Sequence, residues 1–181
     1  MKKWTWILIA IVLIGFIGGA SVLYNQLSMD FAPVQTVTEA AVEQAPDFTV
    51  TDGDGKEVRL SDFFGTPIVL NFWASWCGPC QYEMPDFEKA YEQYGEQVQF
   101  LMVNLTDGYS ETVESAKTFL KEAGYIFPVY FDTLSDAAKT YKVYSIPCTY
   151  FLDEDGVLVT RTIGMISADA LQEGIDLILS E

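Results

Sequence analysis

Residues 67–80 read PIVLNFWASWCGPC, and this stretch decides the fold. Its first half, residues 67–73, is a nearly continuous apolar run, which is typical of a strand buried on both faces of a sheet. Helical spacing of apolar residues then begins at Cys80 and continues to Gln93. A buried strand therefore leads directly into a helix, and two cysteines, Cys77 and Cys80, stand at the junction.

The segments on either side of this junction alternate between strand and helix patterns. A hairpin with a Gly-rich turn is predicted over 48–60, followed by one helical turn that Ser61 caps. The later predicted strands cover 97–105, 129–131, 148–152 and 157–163, and the later predicted helices cover 110–123 with Ser110 as cap, 136–141, and 168–179 with Ser167 as cap. This alternation predicts an α/β fold with a central mixed sheet that helices cover on both faces.

The composition excludes several classes of function. The chain has 181 residues, a formal net charge of −16 and no histidine. Every acidic residue lies at or beyond Asp30, so the part after the N-terminal segment carries 26 acids and eight bases, which argues against nucleic acid as a partner. Without histidine there is no Cys-His catalysis, and three cysteines (Cys77, Cys80 and Cys148) cannot form a four-thiolate zinc site. We therefore expect no metal and no cofactor.

The N-terminus has the pattern of a membrane segment. Lys2 and Lys3 precede an uncharged apolar run over 6–22, and the 21 residues from Trp4 to Tyr24 are enough to cross a hydrocarbon layer of about 30 Å. The lysines before the run predict a cytoplasmic N-terminus and a single pass through the cell membrane. A cleaved signal peptide is the alternative, because Gly18-Gly19-Ala20 resembles a cleavage site.

Both interpretations place the rest of the chain outside the cytoplasm. They divide the chain into a membrane anchor or uncleaved signal segment over 1–24, a polar tether over 25–44 and one domain over 45–181.

The position of the cysteine pair has a chemical reason. Two thiols three residues apart at a helix start can close a small disulfide ring with little change in the backbone. The unpaired amides and positive potential of the helix N-terminus lower the pKa of the first thiol. Cys77 is then the attacking thiolate and Cys80 the more buried resolving thiol, while Gly78 and Pro79 fit the first helical turn. Without a second CxxC motif or any histidine, redox chemistry is favoured over a structural metal site.

The segment 72–80, FWASWCGPC, resembles the active-site segment of the thioredoxin superfamily, and the lead-in over 45–62 resembles the membrane-anchored TlpA/ResA branch of that family. The resemblance runs from about Ala45 to the C-terminus. It implies a thioredoxin-like three-layer fold with an N-terminal hairpin extension and an N-terminal transmembrane helix. It also implies thiol–disulfide oxidoreductase activity through Cys77 and Cys80.

The same resemblance implies roles for residues outside the motif. Ile146 and Pro147 correspond to the cis-proline loop, where a client's extended chain lies beside the disulfide. Glu83 corresponds to a glutamate that assists proton transfer near the thiols; the alternative is an ordinary solvated glutamate. Trp76 is expected to cover the site together with Trp73.

Two positions depart from the pattern of thioredoxins. Asn71 stands where thioredoxin has a buried aspartate, so Glu83 is expected to take over its proton. Cys148 stands after the cis-proline, where threonine is usual, and we hypothesise that it traps a mixed disulfide or tunes the reduction potential. The alternative for Cys148 is a buried thiol that only packs.

Two rival functions stay open from the sequence. A peroxiredoxin-like peroxidase requires a Thr or Ser three residues before the cysteine and an arginine, a pattern that 73–77 lacks. A non-catalytic binding module on the thioredoxin fold would have no need of an intact CxxC motif.

The direction of electron flow and the partners follow from the resemblance. Gly78-Pro79 between the cysteines resembles reducing thioredoxins, so we expect a reductase of disulfide-containing client proteins, with apocytochrome c in cytochrome c maturation, a methionine sulfoxide reductase or misoxidised surface proteins as the candidates. Glutathione and thioredoxin reductase are absent outside the cytoplasm, so a membrane thiol donor of the CcdA/DsbD type is implied.

Overall fold

The computed structural model of the chain describes residues 35–36 and 44–180. The predicted anchor over 1–24 lies outside the described residues, as does the tether over 25–44 except for Gln35, Thr36 and Gln44. Among the helices that are described, none combines the length and the apolar character needed to span a bilayer.

Eight strands form one mixed sheet in the order β1-β8-β7-β4-β5-β6-β2-β3. The strands are β1 (Gln35–Thr36), β2 (Thr49–Thr51), β3 (Glu57–Arg59), β4 (Ile68–Trp73), β5 (Gln99–Asn104), β6 (Val129–Phe131), β7 (Cys148–Leu152) and β8 (Leu158–Ile163). The helices are a 3-10 helix (Leu60–Phe63), α1 (Gly78–Tyr94), α2 (Val113–Ala123), α3 (Asp136–Thr140) and α4 (Ala168–Leu179). The central strands β4, β5 and β6 are parallel, and the other pairings are antiparallel.

Strand β4 is buried at every position because apolar clusters cover both of its faces. On one face, Val69 and Trp73 pack with residues of α1, α2 and α4. On the other, Leu70 and Phe72 pack with residues of the 3-10 helix and α3. The prediction of an α/β fold with a mixed sheet between helices is confirmed, and the continuous apolar run over 67–73 reflects this double burial.

Two predicted helix starts are wrong by a few residues. Helix α2 is capped by Thr112, whose Oγ1 accepts a hydrogen bond from the Ser115 amide at 3.0 Å, and not by Ser110. Ser110 instead donates its amide to Asp107 Oδ1 and belongs to a loop. Similarly, Ser61 lies inside the 3-10 helix, and its hydroxyl donates to Asp47 Oδ2 at 2.9 Å instead of capping the turn.

Strand β1 was not predicted, since it falls within the polar tether. Gln35 and Thr36 pair with Arg161 and Thr160 of β8, and Gln44 forms a bridge with Val157. Gln35 and Thr36 show no alternation of apolar and polar residues, so the sequence does not predict a strand there. They are extended because they pair with the edge of β8.

Helix α4 contacts β7 through a glycine, and at this position Gly→Ala is expected to destabilise the protein. A Cβ atom at Gly174 would overlap the ring of the buried Phe151. Gly→Ala inside a helix normally stabilises it by about 1 kcal/mol, but here the overlap outweighs that gain. We expect Gly174→Ala to lower the free energy of unfolding by about 1–3 kcal/mol in denaturant titrations. Gly53→Ala, in open space within a turn, is the control and should change it by less than about 0.5 kcal/mol.

Candidate active site

The cysteine pair sits where β4 ends and α1 begins. Cys77 is the N-cap of α1, and its Sγ accepts a hydrogen bond from the Cys80 amide at 3.2 Å. The two cysteines form a disulfide with their Cα atoms 5.3 Å apart. Proline at position 79 fits the first turn of α1, because its nitrogen would have had no helical acceptor there.

The two sulfur-bearing residues differ in access. Cys80 is fully buried, whereas Cys77 keeps 4% of its surface exposed beside Trp76, whose side chain is 60% exposed. An incoming thiol or disulfide can therefore reach only the Cys77 side of the pair. The order predicted for an attacking and a resolving cysteine agrees with this difference. Trp76 lies next to the site but leaves most of its own ring in solvent.

A buried glutamate holds the loop that precedes Cys77. The carboxylate of Glu111, which is fully buried, accepts hydrogen bonds from the Ser75 amide at 2.9 Å and the Ser75 hydroxyl at 2.7 Å. A third hydrogen bond comes from the Asn104 side-chain amide at 2.7 Å. On the other side, the Ser75 carbonyl accepts from the side chain of Gln81 in α1. Every polar group of Ser75 is thus used to fix the backbone two residues before Cys77.

We expect Glu111→Ala to lower the free energy of unfolding by about 3 kcal/mol. The substitution leaves the half-buried amide of Ser75 and the buried side-chain amide of Asn104 without an acceptor, and a buried group of this kind costs about 1–3 kcal/mol. Chemical denaturation of the oxidised protein measures the effect. Glu122→Ala, which removes an exposed glutamate from α2, is the matched control and should stay within about 0.5 kcal/mol of the parent chain. Equal values for the two variants would contradict the role of Glu111.

Glu83 is not a solvated helix glutamate. It follows Cys80 by one helical turn, is 3% exposed, and accepts hydrogen bonds from Asn71 Nδ2 to Oε1 at 2.9 Å and from the Ile166 amide to Oε2 at 3.0 Å. Burial raises the pKa of Glu83 to about 8, against the opposing effect of these two hydrogen bonds. A carboxyl with this pKa can take up and release a proton near neutral pH. The catalytic role predicted for Glu83 stays a prediction.

The proline loop lies at the same end of the sheet. The Ile146–Pro147 peptide bond is cis, as the resemblance implied, and the Pro147 carbonyl accepts a hydrogen bond from the Gly164 amide at 2.9 Å. Ile146 packs against the apolar clusters on both faces of the sheet, one of which includes both cysteines of the pair. The loop is therefore anchored next to the disulfide by packing and by one backbone hydrogen bond.

Cys148 faces away from the cysteine pair. It pairs in register with Phe72 and belongs to the cluster on the opposite face of the sheet from Cys77 and Cys80. Burial raises the pKa of the Cys148 thiol to about 12, although a hydrogen bond with the Tyr150 side chain lowers it in part. A thiol that stays protonated is a poor nucleophile. These surroundings favour the packing alternative, and the tuning role stays a prediction.

Three partners of the site were missed by sequence reasoning. Glu111 and Asn104 hold the loop before Cys77, and Thr149 joins Asn71 beside Glu83. Asn71 was noted as a departure from thioredoxin, but not as a hydrogen-bond donor to Glu83. The contacts of Glu111 with Ser75 and of Thr149 with Asn71 join residues far apart in the chain, and no local pattern marks them.

Comparisons with known proteins agree with this geometry. The sequence model of the AhpC/TSA family matches residues 41–161. The thioredoxin-like protein YneN of Bacillus subtilis (strain 168) is 32% identical over 98% of this chain and 99% of its own length. The thiol-disulfide oxidoreductase ResA of Bacillus anthracis is 33% identical over 92% of this chain and 90% of its own.

Solved structures give the same result. StoA from Bacillus subtilis is similar with a TM-score of 0.63 and 27% identity, covering 72% of this chain and 97% of its own. The pneumococcal exposed lipoprotein thioredoxin from Streptococcus pneumoniae strain TIGR4 has a TM-score of 0.59 and 34% identity, covering 72% of this chain and 99% of its own.

The thioredoxin-like sheet with a disulfide at the start of α1 defines a class of redox proteins. Within that class, the chain belongs to the AhpC/TSA family and to its ResA-like thiol–disulfide oxidoreductases. The predicted oxidoreductase activity is confirmed at this level, and such an enzyme acts on proteins that contain disulfides. The relatives named here are named for thioredoxin or disulfide chemistry, which favours that activity over a peroxidase or a non-catalytic module.

Proposed function

We propose that the chain is a membrane-anchored, extracytoplasmic reductase of protein disulfides. The observation that carries the proposal is the unequal burial of the pair: Cys77 keeps 4% of its surface exposed, and Cys80 is fully buried one turn before a buried carboxyl. A reductase needs this order, because the first thiol must meet the client and the second must not. Gly78-Pro79 between the cysteines supports the reducing direction.

The exchange of the disulfide between client and enzyme proceeds in two steps. The Cys77 thiolate attacks one sulfur of the client disulfide, which forms a Cys77–client bond and releases the client's other sulfur as a thiolate. Glu83, as the carboxylate, accepts the proton of the Cys80 thiol, and the Cys80 thiolate then attacks Cys77 Sγ. The Cys77–Cys80 bond forms and the second client thiolate leaves. The client gains two electrons and, through Glu83 and solvent, the two protons.

The proposed location rests on the apolar segment over 4–24 and on a relative. Lysines before that segment support a cytoplasmic N-terminus with the catalytic domain outside. One similar solved structure is named an exposed lipoprotein thioredoxin. A membrane-impermeant maleimide, applied to intact reduced cells that express the full chain, should label Cys77. Labelling only after lysis would contradict the location.

The partners proposed are a disulfide-containing client and a membrane thiol donor of the CcdA/DsbD type. A reductase outside the cytoplasm must be reduced again after each turnover, and a membrane carrier can bring electrons from inside. The candidate clients are apocytochrome c, a methionine sulfoxide reductase and misoxidised surface proteins.

Equilibrium titration of the Cys77–Cys80 couple tests the direction of electron flow. The full chain is equilibrated in thiol/disulfide buffers, and its free thiols are trapped with a mass label. A potential near thioredoxin's value of about −270 mV supports a reductase, whereas a value near about −120 mV means an oxidant and contradicts the proposal. Consumption of hydrogen peroxide by the reduced chain, measured in parallel, would instead favour the peroxidase alternative.

A further inference from the structure

Asn71 lies at the centre of β4 with both of its amide hydrogens in use. Its Nδ2 donates to Glu83 Oε1 at 2.9 Å and to Thr149 Oγ1 at 3.1 Å. Its Oδ1 is buried and has no hydrogen-bond partner in the described part of the chain. A buried amide oxygen without a donor is costly, so a state of the site in which a donor reaches Oδ1 would recover part of that cost.

The two oxygens of Glu83 are not equivalent. Oε2 accepts a hydrogen bond from the Ile166 amide at 3.0 Å, and a backbone amide can only donate. A proton on Oε2 would find no acceptor at the Ile166 amide, and that backbone group cannot turn to offer one. When Glu83 is protonated, the proton is therefore directed to Oε1, the oxygen that faces Asn71.

A proton on Oε1 changes what Asn71 must offer. The Nδ2 donor that suits a carboxylate faces an O–H once Glu83 is neutral. Rotation of the amide by 180° about its Cβ–Cγ bond exchanges Nδ2 for Oδ1, which can accept that O–H. The second neighbour allows this rotation, because the Thr149 hydroxyl accepts from Nδ2 in one orientation and donates to Oδ1 in the other.

We propose that Asn71 is a positioning residue for thiol–disulfide exchange, whose side-chain amide turns over when Glu83 gains or loses its proton. In the carboxylate state Asn71 donates to Glu83, and in the acid state Asn71 accepts from it. Each state of Glu83 thereby keeps a hydrogen bond inside the protein, while in the acid state Nδ2 occupies the position that Oδ1 leaves, where no hydrogen-bond partner is described. An apolar residue could not serve both states in this way.

The titratable groups near Glu83 do not obscure the effect of Asn71 on its proton affinity. Cys80 and Cys77 precede it on α1, and Cys148 on β7 interacts with it electrostatically. Within residues 44–180, no Lys or Arg is paired with its carboxyl, and the hydrogen bonds to that carboxyl come from Asn71 and Ile166. In the oxidised protein Cys77 and Cys80 do not titrate. The proton affinity of Glu83 then depends on burial and on neutral donors, of which Asn71 is the only side chain in the described part of the protein.

The first measurement follows the wild-type amide directly. In the oxidised full chain, NMR of carboxyl-¹³C glutamate gives the midpoint of Glu83, with Glu83→Gln used for assignment. The nuclear Overhauser effect between the Asn71 Nδ2 hydrogens and the Thr149 side chain is then recorded across the titration. We expect it above the midpoint and expect its loss below the midpoint. An effect of equal strength on both sides of the midpoint would overturn the proposal.

The second measurement asks whether Asn71 influences the proton of Glu83. Asn71→Leu removes the hydrogen bond to both forms, but the bond to the charged carboxylate is the stronger of the two. We expect the Glu83 midpoint to rise by about 0.5–1 pH unit, a three- to tenfold increase in proton affinity. The matched control is Asn104→Leu, because Asn104 is equally buried and donates to Glu111 instead. A midpoint that Asn71→Leu leaves unchanged, or that both variants move equally, would overturn the proposal.

The inference rests on the proposed function only where it connects Asn71 to catalysis. The experiments test the coupling between Asn71 and Glu83 separately from that function. The NMR observations concern proton binding and need no client. If they come out as expected while Glu83→Gln leaves the rate of client reduction unchanged at every pH, the proposed role of Glu83 fails and the coupling to Asn71 stands.

Discussion

Cys77→Ser is expected to abolish the reduction of client disulfides, with a loss of at least about three orders of magnitude in turnover. A serine hydroxyl has no base beside it in this site and cannot form a disulfide. Cys80→Ser should fail differently, because Cys77 can still attack while nothing can release the client. We expect it to accumulate a mixed disulfide, which non-reducing mass spectrometry of the chain with a single-disulfide peptide would detect.

The control for both variants is the third cysteine. Cys148→Ser removes a thiol on the opposite face of the sheet, whose pKa is about 12, and should leave turnover and the reduction potential of the pair unchanged. A change in that potential would instead support the tuning role predicted for Cys148. Full activity of Cys77→Ser would contradict the assignment of the attacking residue.

Glu83→Gln is expected to remove a pH dependence from the second step of the exchange. In the parent chain, the carboxylate that takes the Cys80 proton forms as pH rises through about 8, so release of the client should accelerate over that range. Glutamine cannot accept the proton. We expect release to be about a hundredfold slower at pH 8.5, with no inflection near 8, in single-turnover experiments that start from the mixed disulfide.

Stability provides an independent measurement of the same carboxyl. The pKa of Glu83 is raised in the folded protein from its ordinary value of 4.5 to about 8, so the folded state binds more protons between these values. Its contribution to stability is complete below about pH 4.5 and is lost as pH rises through about 8. Each pKa unit corresponds to about 1.4 kcal/mol, so the loss is at most about 5 kcal/mol.

The difference between the parent chain and Glu83→Gln isolates this effect from other titrating groups. Denaturation of both oxidised proteins from pH 4.5 to 9 should show the parent losing stability relative to the variant. A constant difference over that range would mean that Glu83 titrates at its ordinary value. Because glutamine keeps the size of the side chain, a packing defect would move the curves apart by a constant amount and would be recognised.

The features that were predicted well from the sequence are determined by residues that lie close together in the chain. Strand β4, helix α1 and the pair between them follow from a run of apolar residues, a change of period and two thiols three residues apart. All of these signals lie in one continuous stretch, over 67–93. The cap of the last helix at Ser167 has the same local origin, since its Oγ accepts the Ala170 amide at 3.2 Å.

The features that were missed depend on contacts outside the helix and strand patterns, and two of these contacts join residues far apart in the chain. Ser110 and Thr112 are both acceptable caps for α2, and Asp107 decides between them by accepting the amides of residues 109–111. Glu111 resembles any loop glutamate until the fold brings it to Ser75. Whether Glu83 is a solvated glutamate was open for a related reason, because its burial depends on the loop at Ile166, which is far away in the sequence.

The ends of the sheet have a consequence for a protein whose clients are other proteins that contain disulfides. The outermost strands in the described part of the chain are β1 with two residues and β3 with three. Long open edges recruit extended polypeptides through backbone hydrogen bonds and are starting points for aggregation. Edges this short offer little backbone for such pairing. Within the described residues, a client that arrives with its disulfide therefore finds little strand edge on which to pair, and its release does not require a long β-ladder to be broken.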